Sequence, residues 1–91
     1  MITFADELRR IRGAKGLTQG EVARRCAITR AYIVRLEGGT RTTPTRKCVE
    51  ELAAGLDATP HETNRLLISA GYIPPSIAHL IAAVVYEGVT P

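Results

Sequence analysis

Arg30 and Arg35 stand five residues apart in TRAYIVRLE (29–37), near one face of any helix that holds them. A guanidinium can meet O6 and N7 of guanine with two parallel hydrogen bonds, worth about 1–3 kcal/mol of discrimination against another base. Thr29, and the backbone N–H groups that open a helix, suit phosphate oxygens. Arg41, in a loop hinged on Gly38-Gly39, can add charge without base preference. Each residue also has a plainer use. Arg35 can equally meet a phosphate, and Thr29 is an N-cap whatever else it does.

The charge distribution sharpens this reading. The chain has 91 residues and a formal net charge of +3. Residues 1–47 hold eleven Lys and Arg against four acids, a net +7, whereas residues 48–91 hold one against five, a net −4. A basic half points to a polyanion, of which nucleic acid is the commonest soluble kind. Solvated helix faces are the competing explanation on charge alone.

Helices must carry these groups, because helix punctuation dominates the chain. Thr3, Thr18 and Thr59 each precede an acid by three residues (Asp6, Glu21, Glu62), the pattern of a capping box. Thr43-Pro44 and Thr59-Pro60 put proline at a first helical position. Gly16, Gly38-Gly39 and Gly71 suit helix ends. The spacing predicts helices at about 3–15, 18–26, 29–37, 44–56 and 59–70. Their apolar residues recur three or four apart: Phe4, Leu8, Ile11; Val22, Cys26; Ile33, Leu36; Val49, Leu52, Ala53, Leu56; Leu66, Leu67, Ala70. With Leu17, Ala23 and Ile28 they make one all-α core. After Gly71-Tyr-Ile-Pro74-Pro75, residues 76–87 put Ile77, Leu80, Ile81, Val84 and Val85 on one stripe. That stripe either folds back on the core or forms a dimer interface, and the VVY end has some strand character.

Residues 18–37 are two short helices joined by about three residues. Their inner positions are small or apolar, and Ala23 permits a close crossing. The outer positions of the second are Arg30, Ala31, Val34 and Arg35, with Tyr32 near the same edge. This is the layout of a helix-turn-helix, whose second helix enters the major groove of DNA. The segments LRRIRGAKGLTQGEVA (8–23), ITRAYIVRLEGGTRTTP (28–44) and ELAAGLDAT (51–59) resemble the helix-turn-helix family of phage repressors and Cro proteins, also called the xenobiotic-response-element family. The resemblance covers residues 8 to 59 and extends weakly to Pro74. It implies a five-helix repressor-like DNA-binding domain over residues 1–73, followed by a C-terminal helical extension over 74–91. Gln19 matches a residue that donates to a DNA phosphate; an ordinary first-turn residue is the alternative. Arg30, Ala31, Tyr32 and Arg35 match base-facing positions, although Tyr32 can instead pack at the helix base. Thr29, Thr40, Arg41 and Thr42 match phosphate contacts, and Arg12 with Glu37 matches a structural ion pair. Four positions depart from the family pattern: Ala27 and Asp57 replace glycines, and Arg46 and Glu50 stand where apolar residues are common, so a fourth helix that is shifted or partly open is expected.

Other chemistry finds no support in the residues. Cys26 and Cys48 read as small core groups in a reducing, cytoplasmic setting, and neither their spacing nor His61 and His79 makes a metal site. No phosphate loop, nucleophile elbow or paired-carboxylate pattern is present, so no enzyme activity and no cofactor are expected. MITFADELRR lacks a secretory pattern, and the longest apolar stretch is too short to span a membrane. The expected function is a sequence-specific transcriptional regulator, a repressor that binds a palindromic operator in double-stranded DNA as a homodimer. Ile77, Leu80, Ile81, Val84 and Val85 are its expected dimer interface. An antitoxin that also represses its operon, and a protein-interaction adaptor on the same fold, are the alternatives.

Overall fold

A computed structural model describes residues 2–39 and 43–74. Within them the chain forms five helices and no strand: α1 (Phe4–Ala14), α2 (Gln19–Cys26), α3 (Arg30–Glu37), α4 (Arg46–Gly55) and α5 (Pro60–Ser69). The expected all-α, five-helix class is therefore observed. The expected apolar helix after Pro74 lies outside the described residues.

Every one of the five helices starts at a threonine. Thr3, Thr18, Thr29, Thr45 and Thr59 each accept the backbone N–H three residues on, satisfying a group that has no partner inside the helix. Asp6, Glu21 and Glu62 complete reciprocal capping boxes. The threonine hydrogen bonds hold the carboxyls of these three acids below the usual range. The fourth helix departs from expectation. It begins at Arg46 behind Thr45, not at Pro44 behind Thr43. Pro44 is buried instead, and its carbonyl accepts the Tyr72 hydroxyl at 2.7 Å, which ties the end of the described chain to the entrance of α4. Arg46 is half-buried at the helix start and donates to the Ile73 carbonyl, while Glu50 is exposed. Neither residue displaces Val49, Leu52, Ala53 or Leu56 from the core.

Four of the helix ends follow one pattern. At Gly16, Ala27, Asp57 and Gly71 the chain turns left-handed, and the next residue donates back five positions: Leu17 to Arg12, Ile28 to Ala23, Ala58 to Ala53, Tyr72 to Leu67. This Schellman closure needs a positive φ that glycine adopts freely and alanine does not. Ala27, at φ 55°, sits between α2 and α3 and is thus a point of local strain.

Packing closes the five helices into a ring: α1 against α3, α3 against α2, α2 against α4, α4 against α5 and α5 against α1. The core inside contains the apolar residues that the helical spacing marks, with Leu17, Ile28 and Ala70 packed at its rim. Gly55 lets α4 approach α2: a Cβ there would collide with Cys26 Sγ. One polar feature was not foreseen. Glu7 is 2% exposed on the inner face of α1. Its carboxylate accepts Arg65 of α5 at 2.7 Å and Arg10 at 2.8 Å, and these partners, Arg65 foremost, hold its carboxyl below the usual glutamate range.

Two expectations follow. Replacing Ala27 by Gly removes the left-handed penalty and raises stability by about 1 kcal/mol in a urea titration. Because folding lowers the Glu7 pKa, its contribution is present above the unfolded value of about 4.3 and is lost as pH falls through the folded value. Thermal melts from pH 7 to pH 3 will therefore fall more steeply in the wild type than in Glu7→Gln.

Candidate nucleic-acid interface

Helices α2 and α3 pack against each other, and Ala23 of α2 shares the buried core with Ile33 and Leu36 of α3. The turn at Ala27 and the cap at Thr29 fix the direction in which α3 leaves. One face of α3 is committed to the core through Ile33 and Leu36. The opposite face carries Arg30, Ala31, Val34 and Arg35, all exposed. Val34 is 45% exposed, an apolar residue presented between two arginines. A groove lies beside the start of α3, lined by Arg12, Gly16, Leu17, Thr18, Gln19, Gly20 and Arg30. The starts of α2 and α3 thus lie together, with two arginines, Arg12 and Arg30, on the groove wall.

Tyr32 is placed differently from its neighbours. It is half-buried and packs against the core, and the Cys48 thiol of α4 donates to its hydroxyl oxygen at 3.9 Å. Burial raises the phenol's pKa. The Arg35 guanidinium lies 5.8 Å from the ring centroid.

Glu37 organises the far end of α3. It is 3% exposed, and its carboxylate takes Arg12 Nε at 2.6 Å and Arg12 Nη2 at 2.9 Å, a two-pronged pair between α1 and α3. Gln19 Nε2 adds a third hydrogen bond at 3.1 Å. Arg12 Nη1 also meets the Leu17 carbonyl at 2.9 Å. Gln19, matched by resemblance to a phosphate donor, is thus tethered to the ion pair at the entrance of α2. Arg9 was missed by the sequence reading: its guanidinium donates to the Glu37 carbonyl at 3.0 Å, capping the C-terminus of α3. The i,i+3 spacing of Arg9 and Arg12 on α1 was the signal for it. Cys48 was read as a core group, and its contact with Tyr32 was likewise not anticipated. Thr40, Arg41 and Thr42, and the stripe Ile77, Leu80, Ile81, Val84 and Val85, lie outside the described residues. Among the described residues no three His, Cys, Asp or Glu side chains converge as metal ligands.

Two packed short helices, a left-handed turn between them and an outward basic face on the second define a class, and comparison with known families agrees. Residues 3–66 match the model of the helix-turn-helix domain, and the chain belongs to that family. Among curated proteins it is 37% identical over 73 residues to the uncharacterized HTH-type transcriptional regulator RghRB of Bacillus subtilis (strain 168). That alignment covers 80% of this chain and 50% of the relative, so the chain spans about half the relative's length.

The Glu37 cluster makes a direct expectation. Glu37→Ala leaves Arg12, only 22% exposed, without its counter-charge. Stability in denaturant should drop by roughly 3 kcal/mol. Hydrogen exchange should quicken in α3 before α4, and uniform quickening across the fold would contradict the local role given to Glu37.

Proposed function

We propose that the chain is a sequence-specific DNA-binding regulator of transcription, a repressor of the phage-repressor and Cro type that binds a palindromic operator as a homodimer. The observation that carries the reading is the outward face of α3, with Arg30, Ala31, Val34 and Arg35 exposed on a helix whose other side is locked into the core. Family membership and the name of the relative support it. In this reading α3 lies in the major groove. Arg30 and Arg35 take guanine O6 and N7, and Ala31 meets a thymine methyl. Tyr32 lies at the edge of that surface. Thr29 at the start of α3, Gln19 at the start of α2 and the segment Thr40-Arg41-Thr42 contact phosphates, which fixes register without reading sequence. The tether from Gln19 to Glu37 then links phosphate contact to the orientation of α3.

One such domain grips a short site, so two copies related by a two-fold axis place their α3 helices about 34 Å apart on successive major grooves. The C-terminal stripe Ile77, Leu80, Ile81, Val84 and Val85 is the proposed contact between copies. The net +7 of residues 1–47 supplies attraction to phosphate, while the net −4 of the remainder keeps the opposite end away from it.

Selection of bound sites from random duplex DNA tests the whole reading. The wild type should return a two-fold repeat whose half-site contains guanine. Arg30→Ala and Arg35→Ala should each relax preference at one position of the half-site, by about fivefold or more. Gln19→Ala should weaken binding evenly across sequences and leave the salt slope nearly unchanged, because the amide it removes carries no charge. Unchanged selected sites in both arginine variants would remove the base-reading assignment. Binding that does not weaken with salt would remove DNA as the partner.

A further inference from the structure

We propose that Tyr32 is a positioning residue: its ring, packed against the core, holds the Arg35 guanidinium in the orientation in which it meets a base. The proposal rests on the reading of Arg35 given above and goes beyond it by adding a specificity determinant that does not itself read the base.

The geometry has three parts. Tyr32 and Arg35 are three residues apart on α3, so their side chains share a face. The guanidinium lies over the ring at 5.8 Å from the centroid, inside the range in which a cation is attracted to an aromatic face. The ring is itself held: one edge packs against the core, and Cys48 of α4 meets the hydroxyl at 3.9 Å. A fixed platform beneath a flexible cation has a definite consequence. Bidentate recognition of guanine needs the guanidinium plane aligned with the base edge. A side chain already resting on a rigid ring loses less freedom when it binds. Arg30 is two residues from Tyr32 on α3, so its side chain points elsewhere and serves as an internal control.

The arrangement also separates the ring from the hydroxyl. Tyr32→Phe keeps the platform and removes only the contact to Cys48. Tyr32→Leu keeps an apolar side chain and removes the aromatic face.

The test uses the full chain and two readouts. In free protein, ¹⁵N relaxation of the Arg35 Nε–H group should report an equally restricted side chain in the wild type and in Tyr32→Phe, and a more mobile one in Tyr32→Leu. In site selection, Tyr32→Leu should lower the guanine preference at the Arg35 position by about two- to fivefold. Preference at the Arg30 position should be unchanged, and Tyr32→Phe should stay close to wild type. If Tyr32→Leu does not fold, Tyr32→Met carries the same comparison. Equal loss at the Arg30 and Arg35 positions would overturn the proposal in favour of a general packing role. So would an Arg35 side chain that is equally mobile in all variants. If Arg35→Ala shifts the selected site and Tyr32→Leu does not, positioning fails while base reading stands. If Arg35→Ala shifts nothing, base reading fails and positioning falls with it.

Discussion

The orientation of α3 depends on one buried carboxylate. Glu37 closes that helix, where the macrodipole is negative and a further negative charge is unfavourable. It is tolerated there because Arg12 meets it with two hydrogen bonds and Arg9 covers the carbonyl of the same residue. A buried ion pair of this kind adds little net stability, since desolvation offsets most of the attraction. Its contribution is directional. A planar guanidinium accepts a carboxylate in few geometries, so α3 is held to α1 at one rotation about its own axis. That rotation turns Ile33 and Leu36 inward and leaves Arg30 and Arg35 outward. Gln19, bonded to the same carboxylate, brings the start of α2 into the arrangement.

Helix α1 is consequently the spine of the domain. Near its start Glu7 reaches Arg65 of α5, and near its end Arg12 reaches Glu37 of α3. Each pair buries the acid almost completely and leaves its arginine partly in water, so the charge that is harder to solvate in the interior is the one with partners on the protein. The apolar ring of five helices supplies the driving force. The two pairs define how its members are turned. Helix α4 meets α3 at the edge of the outward face, where the Cys48 thiol reaches the hydroxyl of the half-buried Tyr32.

Much of this was legible in the order of residues, for local reasons. A threonine hydroxyl three residues before a backbone N–H, an acid at the same spacing, and a glycine after the last apolar position are interactions between near neighbours. They depend little on the rest of the fold. Four of the five helix starts, the core faces and the break between α2 and α3 follow from them. The fourth start was misplaced because Thr43-Pro44 and Thr45 offer two competing caps. With Thr45 as the cap, the Pro44 carbonyl is left outside the helix and accepts the hydroxyl of Tyr72, a residue 28 positions away.

Chain order alone determined the class of fold, the basic character of the first half and the pair of arginines on one helical face, because periodicity and charge are properties of composition and spacing. Tertiary structure alone decided that Glu7 is buried against α5, that Gln19 and Arg9 converge on Glu37, and that Tyr32 is a half-buried support beneath Arg35. Gln19 and Arg9 meet Glu37 from 18 and 28 positions away and Glu7 meets Arg65 from 58, so these outcomes depend on where whole helices come to rest.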